Sequence, residues 1–200
     1  MKPQKKQNHL HFLSAWIRSP LKIGAVMPSS RQLSFAMAKA IDTSVEGIII
    51  ELGAGTGAVT HALLASGIPA ERLLVVEREP RLHAIMQMHY PALNIVRADA
   101  CELGALLAEQ KITNVAAIVS SLPLMSMPAA IRHAIEQQMA NAIGTSGRII
   151  QFTYSSLSPI GAERLRSYRI FGKREKFVIG NIPPAHVWVY KRDRRIKKRG

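Results

Sequence analysis

The stretch IIIELGAGTG, from Ile48 to Gly57, decides the fold of this chain. Three isoleucines lead into an acidic residue, Glu51, and then into glycines at alternating positions, Gly53, Gly55 and Gly57. Glycine lets the backbone turn sharply and approach a ligand where a Cβ would collide. A helical pattern follows at once, and the first N–H groups of a helix have no partner within it. The stretch therefore predicts a strand, a tight turn and a helix start that binds a ligand.

The spacing G-x-G-x-G behind a carboxylate at the end of a strand resembles motif I of the class I S-adenosylmethionine-dependent methyltransferases. The resemblance implies that Glu51, Gly53, Gly55 and Gly57 bind S-adenosylmethionine, the methyl donor. Because that ligand carries a positive sulfonium group, it tolerates a carboxylate nearby.

Two other interpretations of the motif remain open. Gly53, Gly55 and Ala58 fit the looser dinucleotide fingerprint, and Glu77 follows 20 residues after the last glycine, where an acid that binds ribose is expected. Glu51 argues against a dinucleotide, because it places a carboxylate beside the pyrophosphate anion. The chain is also short for a nucleotide domain plus a substrate domain. The third interpretation is a tight strand–helix turn without a ligand.

Composition indicates one globular domain. The chain has 200 residues, of which 48% are apolar, and its single cysteine fits a reducing compartment. No N-terminal apolar block has the length of a signal-peptide core, so we expect a cytosolic protein.

Residues 112–131 contain no ionisable group, but Pro123 and Pro128 would break a helix. The stretch of residues 112–131 therefore predicts a buried strand followed by a loop. The seven histidines show no metal-ligand spacing, so we expect no metal.

Basic residues concentrate at the two ends of the chain, whose net charge is +14. Residues 1–31 carry six Lys or Arg and no acidic residue, and residues 157–200 carry thirteen basic and three acidic residues. Residues 32–156 carry eight basic and ten acidic residues. Strongly basic ends suit a polyanionic surface, either membrane or nucleic acid. A solvated tail is the alternative for residues 191–200.

Short apolar runs alternate with helical patterns, which predicts an α/β fold of the Rossmann-like, class I methyltransferase type. We expect a seven-stranded, mostly parallel sheet with helices on both faces, and an antiparallel last strand. The predicted strands are Ile48–Leu52, Leu73–Glu77, Asn94–Ala98, Ala116–Ser120, Arg148–Tyr154, Phe177–Gly180 and His186–Lys191.

Helices are predicted between these strands. One has a capping box from Ser29 to Gln32, one covers residues 56–66, and two begin at Pro80 and Pro128. The predicted organisation is a basic N-terminal segment (residues 1–30), a methyltransferase domain (31–191) and a basic tail (192–200).

Further site candidates lie at the ends of successive strands, where ligands bind in open α/β sheets. Glu77 ends the second strand, and its two oxygens can accept hydrogen bonds from both ribose hydroxyls. Asp99 and Ala100 follow the third strand, where the resemblance implies contacts with the adenine amino group and a ring nitrogen. Each acid also fits a helix N-cap or a surface charge.

The fourth strand ends in Ser120-Ser121-Leu122-Pro123-Leu124, where amine methyltransferases place the acceptor nitrogen. Adenine methylases carry Asn-x-Pro and an aromatic residue there, which stacks on the flipped base. Serines replace the asparagine and Leu124 replaces the aromatic residue, which argues against a nucleobase. Hydroxyls, backbone carbonyls and apolar Leu and Met side chains fit an amine on a lipid headgroup better. Candidates that orient or deprotonate the amine are Ser120, Ser121, Leu122 and Tyr154, and Ser120 is also a candidate donor contact.

Over roughly residues 12–191, the chain resembles the bacterial phospholipid N-methyltransferases, the small soluble class that acts at the membrane surface. The more telling segments are residues 12–30 and the block from Asn181 to Trp188, N-I-P-P-A-H-V-W. The resemblance implies stepwise methylation of phosphatidylethanolamine toward phosphatidylcholine with S-adenosylmethionine. It also implies reversible membrane binding through the N-terminal helix. We therefore expect a cytoplasmic protein held peripherally at the inner face of the cell membrane.

The N-terminal segment supports membrane binding on its own. Apolar residues fall at helical spacing among basic ones, namely Leu10, Phe12, Leu13, Trp16 and Ile17. A basic amphipathic helix of this kind can lie in the headgroup region of an anionic membrane. The alternative is a lid that folds over the active site, and the two roles can coexist.

Two competing functions remain open. An RNA adenine N6-dimethyltransferase-like enzyme shares the pattern E-L-G-x-G-x-G-x-x-T, although the missing aromatic residue argues against a nucleic-acid substrate. A non-catalytic basic domain that binds membrane or nucleic acid is the third possibility, but it does not explain three acids at three strand ends.

Overall fold

Ser30 to Asp193 is the part of the chain that the computed structural model describes. Seven strands form one sheet in the order β3-β2-β1-β4-β5-β7-β6. The strands are β1 (Ile48–Leu52), β2 (Leu73–Val76), β3 (Asn94–Val96), β4 (Val115–Ser120), β5 (Arg148–Thr153), β6 (Ile170–Val178) and β7 (Ala185–Arg192). The helices are α1 (Arg31–Lys39), α2 (Ala58–Ala65), α3 (Pro80–His89), α4 (Leu103–Glu109), α5 (Ala129–Ala142) and α6 (Ala162–Ser167).

The central strands are parallel because apolar runs, covered on both faces by helices, favour that arrangement. β1 pairs in parallel with β2 and β4, and β7 pairs antiparallel with β5 and β6. β7 alone therefore runs against the other strands, which confirms the predicted sheet. The chain order reverses between β1 and β4, and ligands bind at such a switch point in open α/β sheets.

Helices cover both faces of the sheet. On one face, α1, α2 and α3 supply buried side chains such as Leu33, Leu63 and Met86. On the other face, α4, α5 and α6 supply Leu103, Met139 and Leu165 among others. The core therefore lies in two apolar layers, and the buried polar side chains of β1, β4 and β5 lie towards the carboxyl ends of these strands, namely Glu51, Ser120, Gln151 and Thr153.

Several predicted boundaries need correction. Ser30, not Ser29, is the N-cap of α1, because its Oγ accepts a hydrogen bond from the Leu33 N–H at 3.3 Å. Helix α2 begins at Ala58 rather than at residue 56, since the last glycine of the motif forms the turn before it. β6 begins at Ile170, well before the predicted Phe177, because exposed charged residues hide this edge strand in the sequence. Helices α4 and α6 were not predicted.

The uncharged stretch of residues 112–131 forms β4 and a loop that includes a short 3-10 helix, Leu124–Ser126, as predicted. Among the helices of residues 30–193, none has the length and apolarity needed to cross a bilayer. The predicted N-terminal amphipathic helix and the end of the basic tail lie outside the described residues. The three-part division of the chain therefore stays a prediction.

Candidate active site

The glycine loop, residues 53–57, connects the carboxyl end of β1 to α2. Gly53 has a φ of +75°, and a Cβ built on it would lie 2.7 Å from Leu122 Cδ2. Gly55 has a φ of +57°, and a Cβ built on it would meet no atom within 4 Å. The loop therefore packs tightly against the segment after β4 at Gly53 and faces open space at Gly55. Open space beside bare backbone is what a closely approaching ligand needs.

Glu51 lies in β1 directly before this loop, and its side chain is fully buried. The Thr60 hydroxyl of α2 donates to Glu51 Oε2 at 2.6 Å, whereas Oε1 has no hydrogen-bond partner in the described residues. Burial raises the pKa of Glu51 to about 7, and the Thr60 hydrogen bond opposes that rise. A cation bound near the loop would favour the ionised carboxylate. Thr60 belongs to the E-L-G-x-G-x-G-x-x-T pattern, but sequence reasoning gave it no role.

Glu77 follows β2, and its carboxylate joins the end of that strand to the glycine loop. Gly55 N–H donates to Oε2 at 2.9 Å, and Glu79 N–H donates to Oε1 at 2.8 Å. Each oxygen keeps a second lone pair, so the carboxylate can still accept two hydroxyl hydrogen bonds. The backbone bonds fix its position at the carboxyl edge, as binding a ribose diol would require.

Asp99 caps the short 3-10 helix Ala100–Glu102, so the capping interpretation of this acid is confirmed. Its Oδ1 accepts from the Cys101 N–H at 2.9 Å, and its Oδ2 pairs with Arg78 Nη1 at 2.9 Å. Burial raises the pKa of Asp99, but the Cys101 hydrogen bond and the Arg78 guanidinium together hold it below its usual value. Asp99 is therefore a fixed anion beside buried Ala100. An adenine contact stays a prediction for both residues.

The segment Ser120–Leu122 lies beside the glycine loop, at the point where β4 meets β1. Ser120 is opposite Leu52 in the sheet, and the Ser121 N–H donates to the Leu52 carbonyl at 2.9 Å. The Ser120 Oγ is buried and accepts from the Leu122 N–H at 3.4 Å. The Ser121 Oγ is buried without a hydrogen-bond partner in the part of the chain that the structure describes. The structure thus brings these three predicted residues together with Gly53.

Gln151 is a polar residue of this region that sequence reasoning missed. Its side chain is fully buried in β5, and its Nε2 donates to the Leu122 carbonyl at 2.9 Å. Its Oε1 is buried and unpaired with any of residues 30–193. A buried amide oxygen without a partner is rare in proteins, so this atom is a candidate hydrogen-bond acceptor for a ligand. Its one sequence signal is a polar residue inside an apolar strand.

Two residues of β7 share the face of the sheet on which Gln151 lies. Trp188 is opposite Gln151, and His186 is opposite Thr153. Trp188 Nε1 and His186 Nδ1 are both buried, and neither has a partner within the described range. Both residues belong to the block that carries the family resemblance, although no role was assigned to them. Together with Gln151 they form a polar strip in line with the end of β4.

Tyr154 is placed differently from the other predicted catalytic residues. Its ring packs edge-on against Phe152 at 5.5 Å and joins the core cluster on the α1 and α2 face. Burial raises the pKa of the Tyr154 phenol, and the neighbouring Asn181 side chain opposes that rise. A phenol with a raised pKa stays protonated near neutral pH and is a poor proton acceptor. Its Oη is buried without a hydrogen-bond partner in residues 30–193, and its role in orienting the amine stays a prediction.

The carboxyl edge thus presents a glycine loop with open space and the fixed carboxylates of Glu77 and Asp99. Beside them lies a strip of unpaired buried polar atoms. The buried carboxylates of Glu51 and Glu77 suit a cationic ligand, and their predicted contacts with the methyl donor stay predictions. Within residues 30–193, no group of three or more His, Cys, Asp or Glu side chains could hold a metal ion.

No known protein-family profile matches the chain. An ornithine lipid N-methyltransferase of Singulisphaera acidiphila is 26% identical over 179 residues, which cover 87% of this chain and 91% of that protein. Ribosomal RNA small subunit methyltransferase A of Rhodopseudomonas palustris is 43% identical over 63 residues, which cover 29% of this chain and 21% of that enzyme. The likeness to the lipid enzyme therefore extends over nearly the whole chain, whereas the likeness to the RNA enzyme is short.

A solved structure shares the fold. The 1,6-didemethyltoxoflavin-N1-methyltransferase of Burkholderia thailandensis, with S-adenosylhomocysteine bound, superposes with a TM-score of 0.63 at 15% identity, covering 93% of this chain and 88% of its own. The predicted class I fold is confirmed, and the predicted methyl donor agrees with the S-adenosylhomocysteine bound to this neighbour. The chain therefore has the class I methyltransferase fold, and over nearly its whole length it is similar to a bacterial lipid N-methyltransferase.

Proposed function

We propose that this enzyme methylates the primary amine of a membrane lipid, with phosphatidylethanolamine as the substrate and phosphatidylcholine as the final product. The observation that supports this proposal most is the composition of the region around Ser121 and Gln151, which we call the acceptor region. Buried unpaired polar atoms, Ser121 Oγ and Gln151 Oε1, lie in segments that also carry apolar residues such as Leu122 and Met127. An amine on an apolar molecule matches such surroundings.

The donor side holds its ligand through groups already in place. S-adenosylmethionine supplies an electrophilic methyl group on a positively charged sulfur. Glu51 and Glu77 provide the negative charge that favours binding of this cation, and Gly55 leaves room for its close approach. The predicted contacts of Asp99 and Ala100 belong to the same proposal.

On the acceptor side, the headgroup amine must lose a proton to solvent before it attacks, because only the neutral amine has a free electron pair. Ser121 Oγ and Gln151 Oε1 can accept hydrogen bonds from the remaining N–H groups and so orient that electron pair. The N–C bond then forms as the S–C bond breaks. Catalysis of this kind depends mainly on positioning and on the exclusion of water.

The structure gives a further reason to prefer a lipid to a nucleobase. Leu124 stands where adenine methylases carry an aromatic residue, and only 1% of its surface is exposed. A side chain so deep in the core cannot stack on a flipped base. The likeness to an RNA methyltransferase covers only 29% of this chain.

An ornithine lipid is the second candidate substrate, because the long likeness is to an ornithine lipid N-methyltransferase. Both lipids carry a primary amine. We propose that the enzyme acts on either lipid at the inner face of the cell membrane and is held there peripherally.

Methylation with a labelled donor tests the proposal. The full chain is incubated with phosphatidylethanolamine vesicles, ornithine lipid vesicles or RNA, and each fraction is counted and its lipids separated. Label is expected in phosphatidylethanolamine and its methylated products, and the Glu77→Ala variant should label nothing. Label in ornithine lipid alone would replace the first substrate by the second, and label only in RNA would refute a lipid acceptor.

A further inference from the structure

The exposed apolar residues of this enzyme gather at one edge of the sheet. Of the eight large apolar side chains that are exposed in the described residues, five lie in or next to the segments that leave β4, β5 and β6. We call these five the apolar rim: Met125 (45% exposed), Leu157 (68%), Phe177 (49%), Ile179 (74%) and Ile182 (78%). Isolated exposed apolar residues are ordinary, but a cluster at one edge indicates an interaction surface.

The apolar rim borders the acceptor region. The Thr153 hydroxyl lies 3.4 Å from Met125 Sδ, and the Phe177 ring stacks on His186 at 4.6 Å. Thr153 and His186 are opposite each other in the sheet, in line with the polar strip of Gln151 and Trp188. A surface that binds at the rim would therefore lie next to the place where the acceptor amine is expected.

Basic side chains stand beside the apolar rim on β6, the edge strand of the sheet. Lys173, Arg174 and Lys176 are all exposed, with Glu175 as the one acid among them. A basic cluster next to exposed isoleucines fits an anionic bilayer, which offers both negative headgroups and an apolar interior. Nucleic acid would match the charges, but it offers no apolar interior to isoleucine side chains.

The first described residue, Ser30, lies at the same place. The Ser30 N–H donates to Asn181 Oδ1 at 3.0 Å, and Asn181 lies between Ile179 and Ile182. Ser30, the first described residue, is therefore held against the β6–β7 loop at the apolar rim.

We propose that the apolar rim and the basic residues of β6 dock this enzyme on an anionic bilayer, with the acceptor region facing the lipid headgroups. The inference rests on the proposed function for the identity of the acceptor, but membrane docking can be measured without methyl transfer. It gives the folded domain its own membrane contact, in addition to the one predicted for the N-terminal segment.

Sedimentation with vesicles of phosphatidylglycerol and phosphatidylcholine tests the apolar part. In the full chain, the double variant Ile179→Ser with Ile182→Ser should partition at least about tenfold more weakly, since two exposed aliphatic side chains lose their apolar contact. Met88→Ser is the matched control, because Met88 is 72% exposed on α3, away from the rim. It should bind vesicles as the parent does.

The charged part has its own pair of variants. Lys173→Glu with Lys176→Glu should weaken vesicle binding by at least about tenfold at low salt and by less at high salt. Lys39→Glu with Arg81→Glu makes the same change in net charge at exposed positions on α1 and α3 and should have a much smaller effect. If the isoleucine variant fails to fold, which loss of donor binding would reveal, the comparison of these two charge variants still tests the docking surface.

Two further measurements separate the docking surface from the proposed function. If the isoleucine variant and the Lys173→Glu, Lys176→Glu variant both bind vesicles like the parent, the docking surface is overturned. It is also overturned if these variants lose affinity for RNA and not for vesicles. If they lose vesicle binding but methylate phosphatidylethanolamine in detergent micelles at the parent rate, it is supported. If vesicle binding needs the rim and no lipid is methylated in any form, the docking surface is supported and the proposed function fails.

Discussion

The two halves of the carboxyl edge differ in how completely their polar groups are paired. In the donor half, formed by β1, β2 and β3, Glu77 and Asp99 accept backbone hydrogen bonds on defined atoms. In the acceptor half, formed by β4, β5 and β7, Ser121 Oγ, Gln151 Oε1 and Trp188 Nε1 are buried and find no partner within residues 30–193.

The donor half is therefore the more completely preformed of the two. The donor half fixes the carboxylates of Glu77 and Asp99 through backbone hydrogen bonds. The acceptor half keeps polar atoms unpaired within the described residues, and we propose that its substrate pairs with them. The exception is Glu51 Oε1, which is buried and unpaired on the donor side. We expect substitutions in the donor half to reduce donor affinity and substitutions in the acceptor half to change methyl transfer alone.

Replacement of Glu77 should have the largest effect. Glu77→Ala removes the acceptor of two backbone N–H groups and a charge that favours the cationic donor. Hydrogen bonds to charged groups contribute about 1.5–3 kcal/mol each, so donor affinity should fall by roughly 100-fold or more. Calorimetry with S-adenosylmethionine measures this change. Glu71→Ala, at an exposed position, is the control, and near-parent affinity in Glu77→Ala would show that the donor half is misassigned.

A pair of glycine variants separates backbone strain from donor binding. Gly55 and Gly67 have φ values of +57° and +85°, and a Cβ on either would meet no atom within 4 Å. Alanine at either position should therefore lower the free energy of unfolding by a similar amount, roughly 1–2 kcal/mol. Only Gly55→Ala should also weaken donor binding, by at least about tenfold. Equal donor affinities in the two variants would place the ligand elsewhere.

Gln151→Leu tests the acceptor half. The variant removes the unpaired Oε1 and one of two hydrogen bonds to the Leu122 carbonyl, which still accepts from the Leu124 N–H. Methyl transfer to lipid should therefore fall by roughly tenfold, as for the loss of one or two neutral hydrogen bonds. Donor affinity should stay at the parent value, which calorimetry checks beside a turnover assay. A matched loss of donor affinity would mean that the two halves do not act separately.

The pH dependence of donor binding tests Glu51. Its pKa is raised to about 7, so below that pH its carboxyl is increasingly neutral and attracts the sulfonium cation less. Donor affinity should thus rise with pH up to about 7 and then level off, changing by at most about tenfold per pH unit. Glu51→Gln should flatten the profile. S-adenosylhomocysteine, which lacks the sulfonium charge, should show a weaker dependence, and an identical profile for both ligands would exclude Glu51 as the cause.

Tyr154→Phe should have the smallest effect. Burial raises the pKa of Tyr154, so its phenol is protonated at neutral pH and has no proton-accepting role to lose. Turnover should stay within about threefold of the parent, since the ring still packs against Phe152 and one neutral hydroxyl contributes little. A larger loss at constant donor affinity would restore Tyr154 to the catalytic group.

Much of the donor half could be predicted from sequence, because its elements are local. The glycine spacing, the carboxylates at the ends of β1 and β2 and the cap at Asp99 each follow from a few neighbouring residues. The acceptor half could be predicted only in part. Gln151, His186 and Trp188 come from β5 and β7, and no local pattern shows that these two strands are neighbours. The start of β6 was missed for a related reason, since an exposed edge strand lacks the alternating apolar pattern.

The sequence alone determined the alternating α/β order, the glycine turn and the acids beside it, because glycine geometry and apolar periodicity act over a few residues. Only the tertiary structure decided the position of the antiparallel β7 between β5 and β6. That insertion brings a polar strip and an apolar rim to the edge where β4 ends. Contacts between residues far apart in the chain depend on how the sheet closes, and no short-range pattern encodes them.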